Sequence, residues 1–223
     1  LDSKENKSRS VEVNTYGSAL IFDLSLEFDV KKVVYSSSAS VYGDPSYVPT
    51  DEDHGFDNCK LLYGATKVAT EYIAKSFMDE EGLPIVGLRY FNVYGPRQSL
   101  SNVYTQIVPK WIRNIAVGEQ ITIYGDGEQT MDMIFGSDIG RANVSAMDNP
   151  KCQNIFINVA TGIQTSVNEL LDIIQTEMSK LMGQKTIDVT YDEHDPNLVK
   201  RRQADISRMY DYLSVPLINV KEG

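Results

Sequence analysis

"VVYSSSASVYG", residues 33–43, decides how this chain is read. Its β-branched start, Val33-Val34, reads as a buried strand, which then releases four hydroxyls, Ser36, Ser37, Ser38 and Ser40, with Ala39 among them. Strands buried on both faces belong to parallel sheets, whose ligands sit beyond the carboxyl ends of the strands. Ser38 would therefore face whatever lies above the sheet.

The flanking sequence supports that reading. Upstream, Val13, Leu20, Leu24 and Phe28 recur at helical spacing and predict a helix over 12–28. Downstream, a loop with Pro45, Pro49 and Gly55 leads to an amphipathic helix over 62–81, carried by Val68, Tyr72, Ile73 and Phe77 and stopped by Gly82 and Pro84. "LPIVGLRYF" (83–91) is the next strand, followed by a Gly/Pro loop over 92–102, a helix over 103–117 and a short strand at "QITIYG" (120–125). A helix over 137–147 and the strand "NIFINVA" (154–160) come next. Ser166 with Glu169 then forms a capping box for a helix running to about residue 182. "KTIDVTY" (185–191) reads as a last strand and 205–213 as a closing helix. Strands alternating with helices imply βαβ units and a doubly wound, parallel α/β sheet. Ser38 and Asn92, each just after a strand, then share one rim.

The composition is that of an ordinary soluble domain, with 42% hydrophobic and 23% charged residues among 223. A net charge of -10 argues against wrapping nucleic acid or an anionic membrane, both of which need a basic surface. No apolar run reaches the roughly 18 residues of a membrane span, and the opening "LDSKENKSRS" is too polar for a signal peptide. A cytoplasmic location is expected, with Cys59 and Cys152 as free thiols. His54 and His194 lack metal spacing and are assigned to surface or loop roles, so no metal is expected. Since the first residue is not Met and a polar stretch precedes the first strand, upstream sequence is expected to be absent from these 223 residues.

Tyr63 and Lys67, in "LYGATK", lie one helical turn apart and can reach one ligand. With thirteen tyrosines present that spacing alone is weak, but Ser38 at a strand end makes a plausible proton-transfer partner. A phenol acting as a base near neutrality needs its pKa lowered by about three units, or about 4 kcal/mol. One ammonium at about 4 Å, in an effective dielectric of about 20, supplies roughly that much. The tyrosines at 35, 42, 47 and 94 read as packing residues with hydrogen-bonded hydroxyls.

"VNTYG", "VVYSSSASVYGDP", "LYGATKVATEYIA", "LRYFNVYGPRQ", "TIYGDGEQTMD" and "NVATGIQTSVNELL" follow one another as they do in the extended short-chain dehydrogenase/reductase family. Over nearly its whole length the chain resembles the UDP-glucose and UDP-N-acetylhexosamine 4-epimerase branch of that family. The resemblance implies a Rossmann-type sheet, of which residues 1–98 form the C-terminal portion, and a smaller C-terminal α/β substrate domain within 99–223, some segments of which return to the first. It implies a bound NAD, with NADP not excluded. Transient oxidation at C4 of a nucleotide sugar, most often a UDP-sugar, would use Tyr63 as base, Ser38 as proton relay and Lys67 on the nicotinamide ribose. Asn14, Ser36 and Tyr90 match positions near the cofactor; Ser38, Asn92, Gln106 and Arg202 are the candidates for the substrate. The helices over 12–28 and 62–81 correspond to those that pair in family homodimers.

The chain also departs from that pattern. No glycine-rich dinucleotide turn is present, nor the acidic residue that holds the adenosine ribose, and "YGDGEQT" (124–130) precedes no helix start. Met131 and Asp195 stand where two diphosphate-binding arginines are expected, which turns attention to Lys200, Arg201 and Arg202 and makes Arg202 the candidate for the phosphates; Arg97 is a weaker one. Ala39-Ser40 follows Ser38 where dehydratases and decarboxylases carry an acid, which disfavours those reactions. A one-way reductase and a non-catalytic nucleotide-sugar scaffold remain as alternatives.

Overall fold

The structure is a computed structural model that describes residues 6–100, 107–183, 187–193 and 199–223. A continuous helical stretch opens it: α1 (Lys7–Val11), a π-helical segment (Glu12–Tyr16) and α2 (Gly17–Glu27). Then come β1 (Val33–Ser38), a 3-10 turn (Ala39–Tyr42), α3 (Leu62–Glu80), β2 (Ile85–Tyr90), β3 (Asn92–Tyr94), α4 (Ile107–Val117) and β4 (Ile121–Tyr124). The remainder is β5 (Thr130–Phe135), α5 (Gly136–Asp148), β6 (Ile155–Val159), β7 (Gln164–Ser166), α6 (Val167–Met182), β8 (Val189–Asp192) and α7 (Ser207–Tyr212).

The main sheet has the order β1-β2-β6 and is wholly parallel, with Val33 opposite Ile85 and Val86 opposite Ile155. Helix α3 crosses from β1 to β2 on one face while α5 packs on the other, so the strands are buried on both sides, as the run of apolar residues requires. β6 comes from the second half of the chain, so the sheet is closed by a returning segment. Two smaller sheets stand beside it: β3-β5-β7, in which β5 and β7 are antiparallel, and the parallel pair β4-β8. Their core gathers Trp111, Ile115, Ile121, Ile123, Leu170 and Ile174.

Sequence expectation and structure differ where strands are short. The loop expected over 92–102 begins with β3, and neither β5 nor β7 carries a periodicity strong enough to stand out from the turns around it. The cap on α6 forms as expected, with Ser166 Oγ accepting from the Glu169 amide at 3.0 Å. The turn at 125–129 is closed by α6 itself, because Asn168 donates from its amide to the Gly127 carbonyl and from Nδ2 to the Asp126 carbonyl. It is not a phosphate cradle.

Asp132 is completely buried on β5, and its carboxylate collects four donors: the Thr161 amide and hydroxyl, the Gly162 amide and the Ala204 amide. Two chain segments distant in sequence are fastened to one side chain of a third. Burial nonetheless pushes its pKa up, with those donors opposing.

Of the two roles expected for His54 the structure shows the loop one, and the side chain is buried there: it is 7% exposed, its Nε2 lies 3.1 Å from the Ser46 amide and 3.0 Å from Ser46 Oγ, and its ring packs between Tyr42 and Tyr47. It folds the loop after β1. Tyr42 and Tyr47 do have hydrogen-bonded hydroxyls, but those of Tyr35 and Tyr94 are buried with no partner among the described residues. His194 lies outside the described residues.

Candidate active site

The carboxyl end of β1 and the first turns of α3 form the site. β1 runs out at Ser38, whose Oγ accepts from the Ser40 amide at 3.1 Å and so starts the 3-10 turn. That bond uses an acceptor lone pair and leaves the hydroxyl proton available as a donor. Gly64 allows α3 to come close: a Cβ there would overlap the Ser40 carbonyl and Cys59 Sγ. Without this approach Tyr63 would stand away from the strand end.

Tyr63 is 37% exposed, and Lys67 sits half-buried one turn on, with Nζ 5.8 Å from the centroid of the Tyr63 ring. Lys67 Nζ donates to the Ser36 carbonyl at 2.8 Å. One of its three N–H donors is thereby fixed and two are left for a ligand. Burial lowers the Lys67 pKa from its ordinary value, with Glu71 opposing. The Ser36 carbonyl, Lys67 and the Tyr63 ring are thus brought together, with Ser38 at the end of the same strand as Ser36.

The other candidates are more scattered. Asn14 lies in the π-helical segment, where such irregularities often mark functional positions. Its Nδ2 donates to Thr66 Oγ1 at 3.0 Å and its carbonyl accepts from Thr70 Oγ1 at 2.9 Å, which ties that segment to α3. The Tyr90 hydroxyl is taken by Asn143 Oδ1 at 2.9 Å on the α5 side of the sheet. Asn92 Oδ1, on β3, is buried with no partner among the described residues, an acceptor awaiting a donor. Gln106 and Asp195 lie outside the described residues. Met131 turns into the core beside Tyr94, Val108 and Trp111 and contributes no polar group.

Arg202 lines a small crevice with Ala39, Tyr42, Gly43, Pro45, Thr50 and Phe91, directly beside Ser38's neighbour in sequence. Its amide is anchored to the Thr130 carbonyl at 3.0 Å. Burial lowers its pKa, with Asp44 and Cys59 opposing. Cys59 and Cys152 are both free, as expected, and the described residues contain no group of His, Cys, Asp and Glu able to hold a metal ion.

The residues present fit one end of a nicotinamide cofactor. An ammonium with two free donors beside a phenol suits the nicotinamide ribose, whereas nothing in residues 1–223 supplies the glycine-rich turn for the pyrophosphate.

The parallel sheet, with Ser38, Tyr63 and Lys67 toward its carboxyl rim, is joined by a family assignment from sequence comparison. Residues 1–160 match the NAD dependent epimerase/dehydratase family, and the chain belongs to it. NAD is that family's cofactor.

Among solved structures, the chain is similar to the UDP-N-acetylglucosamine 4-epimerase of Methanobrevibacter ruminantium in complex with UDP-N-acetylmuramic acid (TM-score 0.88, 36% identity, 97% of this chain and 67% of that one). It is similar also to the UDP-glucose 4-epimerase of Thermotoga maritima with UDP-glucose (TM-score 0.89, 30% identity, 99% and 70%). A third is the UDP-glucuronic acid 4-epimerase of Bacillus cereus with UDP-glucuronic acid and NAD (TM-score 0.83, 27% identity, 96% and 65%). The chain thus spans about two thirds of the length of these relatives. No described helix is long and apolar enough to cross a membrane.

Proposed function

We propose that the enzyme containing this chain is a nucleotide-sugar 4-epimerase acting on a UDP-sugar, with Tyr63, Lys67 and Ser38 as its catalytic residues. The observation that carries the reading is the Lys67 ammonium held between the Ser36 carbonyl and the Tyr63 ring. A cation fixed there favours phenolate over phenol at Tyr63. Tyr63 then accepts the sugar hydroxyl proton and later returns it, and the free Ser38 proton hydrogen-bonds the sugar oxygen as its charge develops. Bound NAD supplies a hydride acceptor and donor for the sugar carbon.

Residues 1–98 with β6 carry the cofactor in this reading, and 99–223 mainly the nucleotide sugar. A dehydratase finds no carboxylate beside Ser38, since Ala39 and Ser40 follow it. Incubating the NAD-loaded enzyme with UDP-galactose or UDP-N-acetylgalactosamine and following the sugar by NMR tests the activity. Interconversion with no added reductant is expected; inactivity on all common nucleotide sugars would favour the scaffold reading, and a requirement for reductant a reductase.

Arg202 is assigned to the substrate's phosphates, because it is a cation lining the crevice beside the 3-10 turn that follows Ser38, while Met131 contributes no charge. Arg202→Ala should weaken UDP-sugar binding by about 10- to 100-fold, the worth of a charge-assisted hydrogen bond, as read by calorimetry. Unchanged affinity would end the assignment.

The homodimer is proposed on the apolar face of the first helical stretch and α3, where Leu20, Ile21, Leu24, Phe28 and Tyr72 are all exposed. Light scattering should report twice the protomer mass. A protomer mass at micromolar concentration would refute it.

A further inference from the structure

Under the catalytic face runs a set of buried polar groups that the reaction outlined above does not use. Glu71 and Arg89, each 3% exposed, form a two-pronged pair: Arg89 Nε donates to Glu71 Oε1 at 2.9 Å and Nη2 to Oε2 at 2.7 Å. Ser37 Oγ donates a further hydrogen bond to Glu71 Oε1. Arg89 Nη1 donates to Tyr42 Oη at 2.7 Å and to the Glu52 carbonyl at 2.8 Å, and the rings of Tyr42, Phe56 and Phe156 surround the guanidinium at 5.1, 5.2 and 5.4 Å. Stability alone does not account for such a pair, because an apolar pair of similar volume is often as good or better.

Its location suggests another role. Tyr63, Lys67 and Glu71 follow at intervals of four along α3, so carboxylate, ammonium and phenol lie on one face, a turn apart. β1 contacts them in step: the Ser36 carbonyl takes Lys67 Nζ, and the next residue, Ser37, takes Glu71. Glu71 is also the group whose charge opposes the effect of burial on Lys67.

We infer that Glu71 is a positioning residue for the Tyr63–Lys67 pair: clamped by Arg89 and Ser37, its carboxylate holds α3 in register on β1 and keeps Lys67 in its cationic form. The inference rests on the proposed catalytic use of Lys67. Around Lys67, the titratable groups on its own helix are Tyr63 and Glu71. From the sheet, Tyr35 on β1 and Arg89 on β2 face Glu71, and Tyr42 after β1 and Glu52 from the following loop lie beyond them. The π-helical segment brings only the uncharged Asn14 against Thr66 and Thr70.

The test labels the full-length, NAD-loaded enzyme with ¹³C at the lysine ε carbons and identifies the Lys67 signal by its absence in Lys67→Arg. Glu71→Gln keeps the volume and one acceptor oxygen, removes the charge and exchanges the other oxygen for an NH2 donor. The Lys67 titration midpoint should fall by about one pH unit, and the alkaline limb of the activity profile with it. Ser37→Ala, which removes one hydrogen bond and no charge, should leave the midpoint in place. Should Glu71→Gln fail to fold around an unpaired Arg89, the double variant Glu71→Gln/Arg89→Gln removes both charges and is expected to show a smaller fall in the same direction, since Glu71 is nearer to Lys67 along α3 and the loss of the Arg89 cation offsets part of the effect. An unmoved midpoint in a folded variant overturns the inference and leaves a normal epimerase reading intact, and so does an equal shift in Ser37→Ala. A lowered midpoint in an enzyme that converts no UDP-sugar supports the inference about charge while removing the proposed activity.

Discussion

Tyr63→Phe is expected to lower kcat by about 10³-fold, within the range that a positioned proton acceptor contributes. In the proposed mechanism the phenol takes the proton, and its charge is held next to a fixed cation. Phenylalanine keeps the ring beside the Lys67 ammonium but has no oxygen to ionise. Tyr63 is partly exposed on the first turn of α3, so the melting temperature and UDP-sugar affinity should stay close to those of the parent. The loss is therefore in kcat rather than in KM, which marks an interaction made only in the transition state. Turnover within a few-fold of the parent, in a folded and NAD-loaded variant, would remove the proposed mechanism.

Arg89→Met should reduce folding stability by about 3–5 kcal/mol, the cost of leaving a buried charge without its partner. Glu71 would keep only the Ser37 hydrogen bond, Tyr42 Oη would lose a donor, and the Glu52 carbonyl would lose another. Neutralising the partner as well, in Arg89→Met/Glu71→Leu, should recover most of that loss because an apolar pair fills the same space. Urea unfolding of parent, single and double variants measures both expectations. A single variant less than about 1 kcal/mol below the parent would mean that water or a rearranged side chain already satisfies Glu71.

Most of what places the site could be read from the chain because it depends on local pattern. The apolar start of β1, the α3 periodicity and the i, i+4 spacing of Tyr63 and Lys67 are short-range features, and they put Ser38 and Tyr63 on one rim before any contact is known. What the pattern hid depends on distant pairing. Strands of three residues, such as β3 and β7, exist only because β5 lies between them. Glu71 looks like one more solvated charge on an amphipathic helix until Arg89, 18 residues later on β2, is seen to bury it. The burial of His54 within its loop was hidden for the same reason, since its partners Ser46, Tyr42 and Tyr47 are supplied by the fold of an irregular segment.

The four donors gathered by Asp132 have a consequence for how ligand affinity is tuned. The segment that carries Arg202 is fastened at Ala204 to the same carboxylate that fastens the loop at Thr161 and Gly162, while its other neighbour, Thr130, holds the Arg202 amide. The guanidinium thus inherits its aim from a carboxylate in the interior, two residues along from Thr130. If Arg202 holds the substrate's phosphates as proposed, a substitution at Asp132 would weaken that hold from the interior, and an affinity assay would record it as damage to the binding surface.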